Sequence, residues 1–346
     1  MLKYVIKRTL QMIPVFLGVT LLLFILRAPG VLPGDPIQTI TGERVPSEVL
    51  RQQIIEEYGL DQPLYVQYWR YLTGLVDLPS IERTEAGAPD GAQGWKIVWE
   101  PDLGESFQKN RPVLDILSDK FPNTFRLGLA AIVIEAIIGI GAGIISAVKR
   151  YSFLDVLVTL STSILVSMPV FWLGMLMQVL FGIKFKEWGL PYLPISGMQS
   201  AVFPDWVHLI LPAITLASVS TAYAARIMRS QMLEVMGQDY IRTAEAKGLT
   251  RGAVIRKHAL KNALIPVVTF IGLDLGAMMS GAILTETVFN WPGVGLEIYL
   301  AINTRDWPIV MGGVLVIVVL VMFVNLIVDL SYAFLDPRIR YGGGAK

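Results

Sequence analysis

A run of twenty residues from Ile309 to Val328 contains a single strongly polar side chain, Asn325. At 1.5 Å per residue, such a helix spans about 30 Å, the thickness of a bilayer's hydrocarbon layer. In water the same run would need burial on every face. Five further segments qualify as spans, at about 9–28, 124–148, 154–181, 207–225 and 262–284. Charged residues make up 16% of the 346 positions, against about 25% in an ordinary soluble domain. That is too little charge to coat a soluble body of this length. A net charge of +1 and the absence of cysteine exclude a strongly basic nucleic-acid binder, thiol redox chemistry and thiolate metal sites. The expected fold class is an all-α membrane protein with six transmembrane helices.

Lysine and arginine placement orients the spans. Lys3, Lys7 and Arg8 precede an apolar run from Leu10 to Leu26 that is long for a signal peptide and lacks a small-residue cleavage site. It reads as a retained first span. Segments 1–8, 149–153, 226–261 and 331–346 hold 16 of the 29 basic residues, whereas 29–121 has eight basic and 15 acidic ones. Both termini are therefore expected in the cytoplasm. The expected organisation is a cytoplasmic start and first helix at 1–28, an extracytoplasmic domain at 29–121, a transmembrane core at 122–330 and a cytoplasmic tail at 331–346.

Within the external domain, Val49, Leu50, Ile54, Ile55 and Tyr58 form one helical face that Ser47 caps and Gly59 stops. A second helix is expected from Leu64 to about Leu75, and a short surface helix at 111–120. The Gly, Pro, Ala, Asp and Glu of 79–100 read as an irregular loop and an insertion. Pro169, Pro212 and Pro266 are expected to bend spans, and Gly139, Gly141 and Gly143 to allow close helix packing. Trp188, Trp206, Trp291 and Trp307 suit an aromatic belt. His208 and His258 have no metal-ligand company.

The 226–261 loop is long for a connection between spans. Two helical pieces, about 238–247 and 251–260, are separated by Gly248, which ends the first, and Thr250, which caps the second. From the residues alone it is either a rigid knob for a soluble partner or a basic segment resting on anionic lipid.

The sequence QDYIRTAEAKGLTRGAVIRKHALKNALIPVVT, residues 238–269, resembles the coupling loop of ABC importer permeases, in the version found in dipeptide and oligopeptide permeases. In the general signature a Glu-Ala-Ala triplet stands six positions before a Gly; here Arg242, Thr243 and Ala244 precede Gly248, a departure typical of the peptide subfamily. The resemblance continues in KRTLQMIPVFLGVTLLLFIL (7–26), PGDP (33–36), YGLDQPLYVQYWRYL (58–72) and DLGESF (102–107). LTETVFNWPGVG (284–295), RDWPIVMG (305–312) and VDLSYAFLDPRIR (328–340) complete it.

The resemblance implies a type I importer permease fold and a B-type subunit in a prokaryotic cytoplasmic membrane, embedded in lipid. It implies a second homologous permease, two ABC ATPase subunits that bind ATP and Mg, and an extracytoplasmic solute-binding protein. This chain itself has no GxxxxGK[ST] phosphate loop, so it is expected to hold no cofactor and to catalyse nothing. The implied ATPase contact comprises Arg242, Thr243, Ala244, Glu245, Ala246, Gly248, Leu249 and Val254. Trp291, Pro292 and Gly293 are implied contacts for the binding protein. Within the spans, Asp274 is either a pore group facing a peptide's amino end or a polar pin between permeases. Pro266 is placed to shape the pore, and Glu135 reads as structural. The cargo stays open among dipeptides or oligopeptides, oligosaccharides and nickel complexes. A stand-alone secondary transporter leaves the long loop unexplained.

Overall fold

Apolar runs and their breakers become helices and turns in the computed structural model, which describes residues 2–27, 49, 52, 55, 61–75, 80–83, 95–98 and 101–335. Helix α1 (Leu2–Arg27) and α2 (Leu64–Leu75) precede two short strands, β1 (Ser80–Arg83) and β2 (Trp95–Val98). Next come α3 (Val113–Val148), α4 (Phe153–Ser167), α5 (Val170–Glu187) and α6 (Ile210–Met236). A short α7 (Asp239–Ala246) leads into α8 (Arg251–Phe289), α9 (Val294–Asn303) and α10 (Trp307–Leu335). Among the described residues five helices are long and apolar enough to cross a membrane, or six if α4 and α5, bent by 111° at their break, count as one span. The chain is an all-α, multi-pass membrane protein.

The bend falls where the sequence places a proline. Proline disfavours helical backbone in the residue before it, and Met168, ahead of Pro169, is extended at φ −96°, ψ 133°. Pro212 does not bend its span, because it lies in the first turn of α6, where backbone N–H groups have no intrahelical partner anyway. Helix α8 continues through Pro266.

The chain divides into two compact units. One comprises Met1–Leu10, Lys120–Leu296 and Ile317–Lys346. At its centre stands α6, the most buried of the long helices, packed on α3, α4, α5 and α8. Small residues set the α3–α6 approach: a Cβ on Gly139 would stand 2.8 Å from the Ala224 Cβ, and one on Gly143 2.6 Å from the Ala225 carbonyl. Gly141 meets nothing within 4 Å, so it takes no part in this packing.

The other unit comprises Gln11–Asp119 and Glu297–Val316. Leu23, Leu75, Met311 and Leu315 form its core, and Phe24 packs against the rings of Tyr68 and Tyr71. Buried Asp306 accepts hydrogen bonds from the Ser106 hydroxyl and from the Phe107 and Gln108 amides, tying the DLGESF loop to the start of α10. Lys109 pairs with Glu297 of α9.

Three expectations change. The expected surface helix at 111–120 is continuous with its span, because Val113, Ile116 and Leu117 are buried at 0–3% exposure and hold the first turns in place. The expected irregular loop at 79–100 contains an antiparallel pair, Ser80 opposite Val98 and Arg83 opposite Trp95. Its ends are rich in strand-favouring Ile, Trp and Val, and the turn-forming residues lie between them. Finally, α6 runs on to Met236, so only residues 237–250 of the 226–261 loop lie outside the long helices. The expected helix at Val49–Tyr58 falls outside the described residues except for Val49, Gln52 and Ile55.

Candidate functional site

Residues 237–250 cap one end of the α6–α8 pair. Helix α7 is amphipathic at helical spacing: Ile241 and Ala244 are buried, while Arg242, Thr243, Glu245 and Ala246 face outward. Ile241 and Ala244 belong to one apolar cluster with Met232 and Val235 of α6 and with Val254, Ala259 and Ala263 of α8. The Asn262 amide donates to the Tyr240 hydroxyl at 2.9 Å, a polar tether between α7 and α8. Gly248 stops the helix as expected, with left-handed backbone at φ +79° and its amide on the Glu245 carbonyl at 2.9 Å. Thr250 occupies the cap position before α8 without a side-chain capping bond; its carbonyl accepts from the Ala253 and Val254 amides instead.

Six of the eight sequence-chosen coupling residues are therefore exposed together: Arg242, Thr243, Glu245, Ala246, Gly248 and Leu249. Ala244 and Val254 are not on that surface. At 5% and 0% exposure they are turned into the bundle, where they anchor α7 rather than meet another protein. Arg242 and Asp239 form an exposed pair at 3.6 Å, worth little by itself.

The chosen membrane residues come together in part. Glu135 is fully buried in a π-turn of α3, Glu135–Gly139. It stands within electrostatic range of Asp274 on α8, which is half-buried beside Ser220 of α6. Both Glu135 oxygens, the Asp274 Oδ2 and the Thr221 hydroxyl have no hydrogen-bond partner among the described residues. Pro266 lies apart, exposed on α8.

Trp291 and Gly293 serve the interior, while Pro292 between them is half-buried. Trp291 is 2% exposed and its indole N–H donates to the Asn123 carbonyl at 3.0 Å, which removes it from the expected aromatic belt and from any docking face. Gly293 is buried as well, and the segment wraps the carboxylate of Glu286, a residue that sequence reasoning passed over. Glu286 Oε1 accepts from the Thr124 hydroxyl at 2.7 Å and Oε2 from the Leu296 amide at 2.9 Å. A Cβ on Gly293 would stand 2.3 Å from Glu286 Oε1, so only glycine lets the backbone close over the carboxylate. Glu286→Ala is expected to lower stability by about 2–3 kcal/mol, because it leaves buried donors unpaired. Glu286→Gln should cost less. Melting temperatures of the purified protein in detergent check this, and an alanine variant as stable as wild type would refute the clasp.

Two arginines were also missed, because the sequence reading placed them in a loop. Arg229 on α6 grips Asp155 of α4 with Nε on Oδ1 at 2.8 Å and a terminal nitrogen on Oδ2 at 2.9 Å. Asp155 also accepts from the Ser146 hydroxyl and, at 2.9 Å, from the Tyr151 amide. Arg226 reaches Thr162 and Ser163. An ionisable residue inside a continuous helical pattern was the available signal. Among the described residues no group of three or more His, Cys, Asp or Glu side chains is placed to hold a metal.

Comparison with known proteins matches residues 139–341 to the model of the binding-protein-dependent transport system inner membrane component and residues 1–128 to that of its N-terminal region. The chain is 39% identical to the dipeptide transport system permease protein DppB of Escherichia coli K12, covering 99% of each. It is 36% identical to the oligopeptide transport system permease protein AppB of Bacillus subtilis, over 99% of this chain and 100% of that one. It is 38% identical to the glutathione transport system permease protein GsiC of an Escherichia coli O6:H1 strain, with the same coverage. Among solved structures, an inward-facing MetNI methionine ABC transporter chain superimposes with a TM-score of 0.51 at 16% identity, over 65% of this chain and 98% of that one. That likeness concerns the fold alone.

Proposed function

The chain belongs to the family of binding-protein-dependent transport system inner membrane components, and on that premise we propose that it forms half of the translocation pathway of an ATP-driven importer of dipeptides or oligopeptides. It is a non-catalytic permease subunit of such a transporter. The second half is a homologous permease. Two ABC ATPases bind ATP and Mg on the cytoplasmic side, where the basic loops put both termini. An extracytoplasmic solute-binding protein delivers the cargo in a prokaryotic inner membrane. Dipeptide, oligopeptide and glutathione permeases at 36–39% identity support peptides over oligosaccharides or nickel complexes.

The observation that carries the coupling role is the seat of α7. A helix transmits motion from a partner only if it cannot move independently of its own subunit. Buried Ile241, Ala244 and Val254 fix α7 to α6 and α8, and the opposite face, with Gly248 and Leu249, stays free for an ATPase groove. ATP-driven closure of the ATPases then moves α6 and α8 together and switches the pathway between its two openings.

Gly248→Asp tests this. No atom lies within 4 Å of the Gly248 Cβ position, and aspartate tolerates left-handed backbone better than most residues, so the fold should lose only about 1 kcal/mol. The expected result is normal membrane insertion with peptide uptake reduced at least tenfold. Normal uptake by this variant refutes the coupling assignment.

A further inference from the structure

Arg226 differs from its neighbour one turn on. Arg229 is matched by Asp155, but Arg226 is held only by neutral groups, with Nε on the Thr162 hydroxyl at 3.3 Å and a terminal nitrogen on that of Ser163 at 3.0 Å. No carboxylate among the described residues lies within ion-pair range of it. Both arginines line a partly open cavity of about 430 Å³ between α4 and α6, together with Thr159, Thr162, Ser163 and Ser230 and with apolar Val158 and Leu233.

Depth decides what that cation faces. Helix α4 starts at Phe153, directly after the turn that joins it to the preceding span. Thr162 and Ser163 lie nine and ten residues further along, roughly 14–15 Å along the helix from that turn, about half the thickness of a hydrocarbon layer. A lipid phosphate stays near the surface of that layer. An arginine facing acyl chains at its middle costs about 2.5 kcal/mol or more. Thr159, Ser163 and Ser167 are exposed at four-residue spacing on α4, a hydroxyl stripe that ends at the helix break. Such a face fits water and polar cargo.

We infer that Arg226, with Thr162 and Ser163, forms an anion subsite on the pathway wall that holds the carboxylate of a peptide in transit. The inference rests on the peptide-importer reading above. The terminal carboxylate is the anion that all linear peptides share whatever their side chains. A guanidinium takes it through two parallel hydrogen bonds, and the Thr162 and Ser163 hydroxyls, which accept from Arg226, hold it in place for them. The subsite therefore assists passage without selecting among peptide sequences.

The test uses the intact nucleotide-free complex without its binding protein, irradiated with a dipeptide that carries a benzophenone side chain. The expected label falls on residues 158–163 or 225–233. Alanyl-alanine should compete with it and alanyl-alanine amide should not. Arg226→Gln should lower the label at least about tenfold, the loss expected for a charge-assisted contact, and Arg226→Lys should restore part of it. Undiminished labelling in the glutamine variant, or equal competition by the amide, overturns the subsite. Native mass spectrometry of the same samples gives two more overturning results. A phospholipid bound to wild type and lost with Arg226→Gln assigns the arginine to lipid, and loss of the second permease assigns it to that interface. Uptake of alanyl-alanine by wild-type proteoliposomes is measured separately. Its absence together with that of tri- and tetra-alanine uptake refutes the peptide reading, whereas uptake of any of these with a failed labelling result refutes the subsite alone.

Discussion

Replacing Gly143 by leucine is expected to eliminate the folded permease, and the same change at Gly141 to leave it intact. A Cβ at Gly143 would stand 2.5 Å from the Met228 Cβ and 2.6 Å from the Ala225 carbonyl. Neither obstacle is the end of a flexible side chain, so α3 and α6 must move apart. Ordinary overpacking costs about 1–3 kcal/mol. A clash with backbone at the most buried span exceeds that and takes a large share of a typical domain's 5–15 kcal/mol. Gly141, two residues away on the other side of α3, offers open space. Monodisperse protein recovered after mild detergent extraction distinguishes the pair. Equal recovery of both variants refutes the close α3–α6 contact.

Asp155→Ala is expected to lower stability by about 3 kcal/mol, and removal of Arg229 alongside it to recover part of the loss. The carboxylate joins three helices and a turn: Ser146 on α3, Arg229 on α6, the Tyr151 amide and its own α4. Its side chain is 6% exposed and that of Arg229 is 30%. Breaking such a pair strands a charge in a poorly solvated place, and the stranded charge rather than the lost bond dominates the cost. Asp155→Ala with Arg229→Met removes the stranded charge. Melting temperatures of the single variants and the double variant close the cycle. Additive losses would show that the two residues are not coupled.

Much of the fold was legible because it is local. Apolar runs give the spans, Pro169 gives the break, and Gly248 gives the stop after α7. The exposed face of α7 was legible as well, except that the sequence could not tell which alanine faces inward. Ala244 and Ala246 are chemically identical, and only the docking of α7 on Met232, Val254 and Ala263 separates them. What stayed hidden depends on partners far apart in the chain. Thr124 with Glu286 and Ser106 with Asp306 join residues 162 and 200 positions apart, and neither pair leaves a periodic or capping signal. Arg226 and Arg229 were misplaced for a different reason. Charge density at 226–261 reads as loop, yet α6 continues for about three more turns because Met228, Met232 and Val235 bury one of its faces.

The unbroken run of α8 sets a mechanical gain. Its regular α-helical part, Leu260–Phe289, has 30 residues and is therefore about 45 Å long. Its near end is gripped beside α7, and Glu286 clasps its far end. A tilt of roughly 5° about the gripped end displaces the Glu286 end by roughly 4 Å over that length, about the width of a peptide backbone. A partner that pulls on α7 thus needs to supply only a small angular stroke, and any looseness in the seat of α7 is magnified by the same ratio.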